Sequence, residues 1–392
     1  MTGLKYTSTD VTLMKFLCFF IILAPFSHLV FNYGIIVFFA IVGISFYYLL
    51  KLISSGCFPK YSILLIVFIV IWGLAWLNSP KQVFQESTST IRNTTELLTP
   101  PIVFFLLFFP FYYWSKTGCL TYNRLKKFFV ILLLVNSISF IGFFADIIPH
   151  EADASGANLA YPLVCLMPLA GVFWDRKNKL FYVLLALVAV SFIATKRGSM
   201  ICALLSFALM LYFFSRDSKY KHIKLLPIVL MLMATGAVLF YIYISNDNLQ
   251  LKMEDSSEGN FSGRESFYLI LLDNWLSSDL RTKLFGLEFM KAVELVGFDA
   301  HNDWLEILLD AGLVAAFVYL GIIISFWVKG LSNRAVLESR EKYMLYSALT
   351  IWLVRSFVSD GFTGIDSRYF FIAIAFVLGR IDFYKNYSTL QA

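Results

Sequence analysis

The residues best suited to chemistry in this sequence lie in one short stretch, GFDAHNDWLEILLDAGL, at 297–313. His301 stands directly before Asn302, where a polar segment gives way to an apolar one. A neutral imidazole in such a place can accept a proton as a general base. We therefore predict that His301 is catalytic. The alternative for a single histidine is a structural role at a helix end.

The carboxylates around His301 fit the start of a helix. Asp299, Asn302 and Asp303 can accept hydrogen bonds from the free N–H groups of a first turn, and they suit the positive end of the helix dipole. We predict one continuous helix that starts with these polar turns and runs on as a membrane span. Helical spacing then places four residues on one face of this helix: His301, Leu305, Leu308 and Gly312.

Basic residues at the ends of apolar runs form the second group of candidates. Lys196 and Arg197, in ATKRGSM, join two apolar runs with almost no connector between them. Arg264 opens GRESFYLILLDNWLSSDLRTKLFG, in which apolar residues recur at helical spacing. A charge at a membrane boundary is costly unless it is paired or faces water, and guanidinium groups bind phosphate oxygens through paired hydrogen bonds. These residues therefore predict a site for a substrate that carries phosphate.

Two further basic residues, Arg355 and Arg368, are weaker candidates for substrate binding on the same side of the membrane. For both, the nearby Asp360 and Asp366 allow a structural ion pair instead. Lys196, Arg197 and Arg264 also have an alternative role, because basic side chains near a membrane surface can extend to lipid headgroups without binding a substrate. The residues alone leave both roles open.

The composition is that of a protein whose solvent is the lipid bilayer. Of its 392 residues, 59% are hydrophobic and 15% are charged, whereas a soluble domain has roughly a quarter of its residues charged. Apolar runs recur, each close to the roughly 20 residues that cross a hydrocarbon core of ~30 Å. We predict an all-α, polytopic integral membrane protein that forms a single transmembrane domain over 1–392, with about twelve transmembrane helices. The predicted spans are 11–30, 33–50, 61–77, 100–115, 128–148, 158–174, 180–195, 199–214, 225–245, 307–328, 344–358 and 367–384.

Two predicted connections are long and polar. The first is 78–99, and the second is the segment 246–300 between the ninth and tenth spans, which we call the long loop. Loops of this length in compact proteins are commonly functional. Within the long loop, the spacing predicts an amphipathic helix that starts near Gly263, lies against the membrane surface and ends at a turn formed by Ser277, Ser278 and Asp279.

The distribution of basic residues predicts the orientation. The predicted inner loops hold nearly two-thirds of the 32 Lys and Arg residues. By the positive-inside rule, both termini are then cytoplasmic and the long loop is outside. We expect no cleaved signal peptide, because the first apolar run lacks a small-x-small cleavage site and another span follows it at once. Since the basic charge is a topological signal, it predicts no nucleic-acid partner.

The sequence predicts neither a metal site nor another cofactor. The five cysteines fall in predicted spans or inner loops, and none of them shows CxxC spacing. His301 has no second histidine three or four residues away, and the sequence contains no HExxH. Chemistry at His301 must then depend on side chains alone.

Three motifs, in this order, resemble those of the O-antigen polymerase and O-antigen ligase superfamily of bacterial envelope glycosyltransferases. They are KRGS after a span, GRESFY in the long loop, and His301-Asn302 followed by nine residues and then Gly312. The motifs cover roughly 190–325, and the predicted series of spans extends the likeness over the whole chain. The sequence departs from the family pattern at GLVA, which replaces the usual GLxG after Gly312. The departure concerns local helix packing more than chemistry.

The resemblance implies an inverting glycosyltransferase of the bacterial inner membrane, which works on the periplasmic side without a metal or a nucleotide sugar. It implies an oligosaccharide linked to undecaprenyl pyrophosphate as donor and a sugar hydroxyl as acceptor. Arg197 and Arg264 would stabilise the leaving pyrophosphate, helped by Lys196, Arg281 and Lys283. His301 would accept the acceptor's proton, and Asn302 would bind and position the acceptor. Expected partners also include membrane lipid and a protein that regulates chain length.

The class of enzyme has alternatives. A polymerase joins the glycan to another lipid-linked repeat unit, whereas a ligase joins it to lipid A core. We favour the polymerase because the long loop, about 55 residues, is shorter than expected for a ligase. A flippase or secondary transporter of lipid-linked sugars would explain the hydrophobicity equally well. Transporters usually carry inverted repeats and charges near mid-membrane, whereas the suspect residues of this chain gather at one face.

Overall fold

The computed structural model consists mainly of helices. It describes residues 5–26, 33–85, 90–93, 95–144, 160–194, 197–217, 264–297, 299–359, 361–362 and 364–391. Several sequence predictions lie outside these residues, namely the span at 225–245, the part of the long loop before Arg264, and the candidate Lys196.

The first half of the chain forms a series of helices interrupted by one hairpin. These helices are α1 (Ser8–Leu23), α2 (Tyr33–Ser54), α3 (Ile63–Leu77), α4 (Thr95–Leu106), α5 (Phe108–Lys116), α6 (Tyr122–Phe144), α7 (Ala160–Cys165), α8 (Lys177–Ile193) and α9 (Arg197–Arg216). The hairpin strands are β1 (Gln82–Gln85) and β2 (Thr90–Asn93). Short 3-10 helices cover Ala24–Phe26, Lys60–Ser62 and Met167–Phe173.

The second half begins with short helices and ends with three long ones. The short helices are α10 (Arg264–Ser277), α11 (Leu280–Phe285), α12 (Lys291–Val296) and α13 (Asp303–Asp310). The long helices are α14 (Gly312–Ser332), α15 (Ser339–Val358) and α16 (Arg368–Gln391), and a 3-10 turn, Ile365–Ser367, precedes α16. The helix predicted over the start of 263–286 and its turn at Asp279 are confirmed, because α10 ends at Ser277 and Asp279 caps α11.

Among the described residues, six helical segments are long and apolar enough to cross a membrane. They are Ile36–Ser54, Lys60–Leu77, Leu98–Lys116, Tyr122–Gly142, Gly198–Arg216 and Gly312–Ser332. Each coincides with a span expected from hydropathy, and their outward faces carry exposed apolar side chains such as Phe39 and Ile138. The chain is therefore a helical membrane protein, while the count of about twelve spans stays a prediction. The apolar helix Asn178–Ile193 is shorter than the other six.

The segment 158–174 is not the single α-helix that its hydropathy predicts. Its described part forms α7 and then the 3-10 helix Met167–Phe173. Pro168 explains the change, since proline lacks the N–H that would continue the regular helix and its ring clashes with the preceding turn. The result is an irregular segment that packs against α15. Tyr343 of α15 donates a hydrogen bond to the carbonyl oxygen of Met167 in this segment at 2.9 Å.

α15 and α16 form the centre of the helix bundle. Every residue of α16 from Tyr369 to Leu378 is fully buried, as is most of α15. α5 packs along α16, where Ser115 donates a hydrogen bond to the Phe376 carbonyl oxygen at 2.6 Å. Protein, rather than lipid, therefore surrounds these two helices. Their polar ends are held in fixed positions relative to the spans.

The hairpin lies in the connection 78–99, which the sequence analysis treats only as a polar loop. Its antiparallel register pairs Gln82 with Asn93 and Gln85 with Thr90. Just before β1, the Ser79 hydroxyl accepts a hydrogen bond from the Phe289 N–H at 2.7 Å. The two long polar connections therefore meet, as expected if both lie on one side of the membrane.

The predicted continuous helix through His301 and Gly312 is wrong, because the chain breaks between α13 and α14. Gly312 has φ 79°, a left-handed backbone conformation that ends one helix and starts the next at an angle. The backbone of α11 packs into this break, so that Leu284 contacts Gly312 and Gly286 contacts Asp310. Sequence spacing could not predict the break, because the segment that fills it comes from an earlier helix.

Replacing Gly312 with alanine is expected to destabilise the protein. The new methyl group would overlap the Leu284 backbone, and φ 79° is strained for any L side chain. We expect a loss of about 1–3 kcal/mol, seen as a lower unfolding temperature of the purified protein in detergent. Gly43→Ala is the matched control, since no atom lies within 4 Å of its new methyl group. Equal unfolding temperatures for the two variants would contradict the assignment of a close-packed break.

The described helices run between two ends of the bundle. The end that we call the His301 end holds His301, the start of α14, the last turn of α15 and the start of α16. At the opposite end, Lys329 of α14 pairs with Asp382 of α16 at 2.8 Å. α14 has 21 residues, and at ~1.5 Å per residue it separates the two ends by roughly 30 Å.

Candidate functional site

His301 occupies a tight turn between α12 and α13. Its φ is 49°, in the left-handed region that non-glycine residues rarely adopt, and its side chain is partly buried. The predicted shared face with Leu305, Leu308 and Gly312 is therefore wrong, because His301 lies before the helix and Gly312 after it. A backbone conformation of this kind costs on the order of 1–3 kcal/mol and persists only when its surroundings enforce it.

Asn302 is the residue that starts α13. Its side-chain oxygen accepts hydrogen bonds from the N–H groups of Trp304 at 3.0 Å and Leu305 at 3.2 Å, which confirms the predicted cap. Its side-chain nitrogen donates to the carbonyl oxygen of Phe357, at the end of α15, at 3.2 Å. Both ends of the amide are thus engaged in holding the His301 turn. A substrate contact by Asn302 stays a prediction.

Asp303 is an interior anchor rather than the cap that the sequence analysis expects. Its carboxylate is fully buried and accepts hydrogen bonds from the N–H groups of Gly361 at 2.8 Å and Phe362 at 3.1 Å. It also accepts the Tyr319 hydroxyl at 2.7 Å, and that hydroxyl accepts the Trp352 N–H at 2.7 Å. The loop after α15 and the His301 turn are therefore tied to one carboxylate.

The last turn of α15 joins the separate motifs of the sequence. Next to the Phe357 carbonyl that holds Asn302, the Ser356 hydroxyl accepts a hydrogen bond from the indole N–H of Trp304 at 3.1 Å. Val358 packs against Gly198, one residue after the start of α9 at Arg197. A methyl group at Gly198 would overlap the Tyr161 hydroxyl. The glycine of KRGS thus lets the start of α9 approach the helix end that holds the His301 turn.

Arg355 forms the structural ion pair that the sequence analysis gives as its alternative role. The guanidinium group is 2% exposed and contacts a carboxylate oxygen of Asp366 at 2.7 Å. It also contacts the sulfur of Cys165 at 2.9 Å, and its central carbon lies 4.4 Å from the centre of the Tyr161 ring. A charge held in this way stabilises the junction of α7, α15 and the turn before α16. It is poorly suited to bind a substrate.

The other candidate cations are distributed around the same end of the bundle. Arg368 begins α16 and is 6% exposed. Arg281 is exposed and Lys283 partly buried on α11, the helix that packs into the break before α14. Arg197 and Arg264 are the first residues of α9 and α10. For these two, the structure describes the backbone, so their contacts with phosphate stay predictions.

Asp310 is a buried acid that the sequence analysis does not single out. It lies at the end of α13, is 3% exposed, and accepts the Lys291 N–H at 3.3 Å. Burial is the largest influence on this carboxyl and, against hydrogen bonds from Met290 and Lys291, raises its pKa to about 8. Asp310 is therefore protonated at neutral pH and joins α12 to α13 as a neutral group.

We expect Asp310→Asn to make the protein less sensitive to pH. Because the folded state holds this proton more tightly than the unfolded chain, the proton's contribution to folding is fully present in acid and is lost as the pH rises through about 8. Asparagine keeps the neutral shape without titrating. The unfolding temperature of the variant should exceed that of the wild type by a margin that grows from about pH 5.5 to about pH 8.5. A constant margin would mean that Asp310 is ionised throughout.

The site contains groups that sequence analysis could not find. Asp303 and Tyr319 are separated from Gly361 and Trp352 along the chain, so no local pattern reveals their network. Within the part of the chain that the structure describes, no group of three or more His, Cys, Asp or Glu residues is arranged to hold a metal ion. The described site therefore offers an imidazole, guanidinium groups and backbone N–H groups.

No protein-family model matches the chain, and no curated protein matches it either.

Proposed function

We propose that this protein is an inverting glycosyltransferase that uses a glycan on undecaprenyl pyrophosphate as donor and requires no metal. The acceptor is a hydroxyl of another lipid-linked repeat unit, so that the product is a polymer of surface polysaccharide. The protein lies in the bacterial inner membrane with both termini in the cytoplasm and the His301 end facing the periplasm. The resemblance of its three motifs to the O-antigen polymerase and ligase superfamily underlies this proposal.

The observation that best supports the proposal is the junction at the last turn of α15. There, Phe357 bonds to the residue that follows His301, and Val358 contacts the residue that follows Arg197. Two motifs that are about a hundred residues apart in sequence thus belong to one rigid junction. The strained backbone of His301 agrees with this, because such strain is concentrated at functional sites.

The chemistry follows from the groups available. The acceptor hydroxyl attacks the anomeric carbon from the face opposite the pyrophosphate, and the imidazole of His301 takes up its proton. The new C–O bond forms as the C–O bond to the pyrophosphate breaks, and the electron pair of that bond leaves with the pyrophosphate. Guanidinium groups stabilise the charge that develops on the departing oxygens. We propose Arg197 and Arg264 for this role, with Lys196, Arg281 and Lys283 assisting.

A reconstitution tests the proposed function. The purified protein is placed in liposomes with undecaprenyl pyrophosphate-linked repeat units, with and without lipid A core, and the products are separated by glycan length. A ladder of lengths without core supports the polymerase. Product only in the presence of core would make the protein a ligase. Movement of lipid-linked glycan across the bilayer without any new glycosidic bond would favour the transporter and contradict both enzymes.

A further inference from the structure

The arginines at the His301 end whose side chains the structure describes differ in how their charge is balanced. Arg281 is exposed to solvent, and Arg355 is neutralised by Asp366 at 2.7 Å. Arg368 differs from both, because it is 6% exposed and forms no ion pair with any residue that the structure describes. Of these three arginines, Arg368 is therefore the one that is buried and whose charge no described residue neutralises.

The hydrogen bonds of Arg368 are also incomplete among the described residues. A guanidinium group has five N–H donors, yet its one described bond is a long contact of 3.5 Å to the Tyr369 hydroxyl. Its Nε is buried and has no hydrogen-bond partner. The Tyr369 hydroxyl is itself shared with Asn136 of α6, whose side-chain nitrogen lies 3.2 Å away. The described partner of the guanidinium is thus Tyr369, which is neutral and whose ring centre lies 5.2 Å from the central guanidinium carbon.

Two physical effects make this arrangement unfavourable without a further partner. A buried charge is costly unless it is paired and hydrogen-bonded. Arg368 also lies in the first turn of α16, directly after the 3-10 turn Ile365–Ser367, where the helix dipole is unfavourable to a cation and favourable to an anion. An anion at this position would pair with the guanidinium group and lie at the positive end of the helix dipole.

We infer that Arg368, at the buried start of α16, binds a phosphoryl group. The inference deepens the proposed function, because the pyrophosphate of the donor lipid is the phosphoryl group which that function supplies. Arg355 and Arg368 then have different roles. Arg355 stabilises the junction of helices, and Arg368 contacts the ligand. A phospholipid headgroup presents the same chemistry, and the test separates the two sources.

The first test compares unfolding temperatures without added ligand, in nanodiscs of phosphatidylcholine. Arg368→Gln removes an uncompensated charge and is expected to raise the unfolding temperature by about 2 °C or more. Arg355→Gln leaves Asp366 without its cation and is expected to lower it by about 5 °C or more. Arg334→Gln, an exposed control, should leave it unchanged. A fall for Arg368→Gln equal to that for Arg355→Gln would overturn the inference.

The second test measures binding of undecaprenyl pyrophosphate, inorganic pyrophosphate and phosphatidylglycerol to the same nanodiscs. Arg368→Gln is expected to weaken pyrophosphate binding at least about tenfold, whereas Arg368→Lys, which keeps the charge, should lose less. Equal loss for inorganic and lipid-linked pyrophosphate identifies the phosphoryl group itself as the ligand, and loss confined to phosphatidylglycerol identifies a lipid headgroup. Unchanged binding of all three in Arg368→Gln would overturn the inference.

These measurements need no turnover, so their outcome is separate from that of the proposed function. Pyrophosphate binding that depends on Arg368, without any glycan transfer on reconstitution, would support the inference and contradict the transferase. Glycan transfer together with pyrophosphate binding that does not depend on Arg368 would support the transferase and contradict the inference.

Discussion

Replacing His301 is expected to abolish glycan transfer while donor binding remains. The imidazole is the proposed proton acceptor, and loss of a general base typically lowers the rate by about 10²–10⁴-fold. His301→Asn is the most informative variant, because asparagine tolerates the left-handed backbone at φ 49° and so preserves the turn. The measurement is the initial rate of polymer formation in liposomes, together with the affinity for undecaprenyl pyrophosphate-linked glycan.

Two further variants control this experiment. His301→Ala tests the same loss without the amide, and His222→Ala removes a histidine between the predicted spans 199–214 and 225–245, on the predicted inner side. The second should keep the wild-type rate. If His301→Asn transfers glycan at the wild-type rate, His301 serves only the geometry of the turn, and another group must accept the proton.

Replacing Asp303 with alanine is expected to cause the largest loss of stability at the site. The change leaves the N–H groups of Gly361 and Phe362 and the hydroxyl of Tyr319 without their shared acceptor in a fully buried place. Each unsatisfied buried donor costs about 1–3 kcal/mol, so we expect a total of about 3–5 kcal/mol. The unfolding temperature in detergent measures this loss, and polymer formation should fall with it because the His301 turn loses its anchor.

Tyr319→Phe provides the matched comparison for Asp303. It removes one of the described donors to Asp303 and keeps the ring, but it leaves the indole N–H of Trp352 without its described acceptor, so its expected cost is about 1–2 kcal/mol. Activity in this variant should stay close to that of the wild type, since both backbone hydrogen bonds to Asp303 remain. An unfolding temperature for Asp303→Ala no lower than that for Tyr319→Phe would show that the carboxylate does not hold the loop.

The sequence predicted those features that depend on local pattern. Six spans follow from runs of apolar residues, and the helix at Arg264 follows from its spacing. The cap at Asn302 is local as well, because its partners lie two and three residues further along. In each case the interaction that forms the feature is either between residues of one helix or between apolar side chains and the lipid bilayer.

The features that the sequence missed depend on distant contacts. The break at Gly312 needs the backbone of Leu284 to fill it, and the role of Asp303 needs the N–H of Gly361. Neither partner could be inferred from a helical or alternating pattern. For Arg355 the sequence raised the correct alternative, an ion pair with Asp366, without a means of choosing it over substrate binding.

For the candidate site, the sequence therefore indicated candidate residues but not their arrangement in space. His301 and the start of α9 belong to one junction, yet the predicted helical face that included His301 does not exist. The reason is physical, since a residue with φ 49° cannot continue a right-handed helix. This geometry is compatible with the proposed role of His301, because the turn fixes the backbone of the residue and leaves its imidazole outside the helix.

The most direct test of the account is the stoichiometry of bond formation. Reconstituted protein is supplied with undecaprenyl pyrophosphate-linked repeat units in the presence of a chelator, and both free undecaprenyl pyrophosphate and new glycosidic bonds are counted over time. We expect one undecaprenyl pyrophosphate to be released for each glycosidic bond formed, and we expect the chelator to have no effect on the rate. Lipid-linked repeat units that cross the bilayer intact, without release of undecaprenyl pyrophosphate, would contradict this expectation.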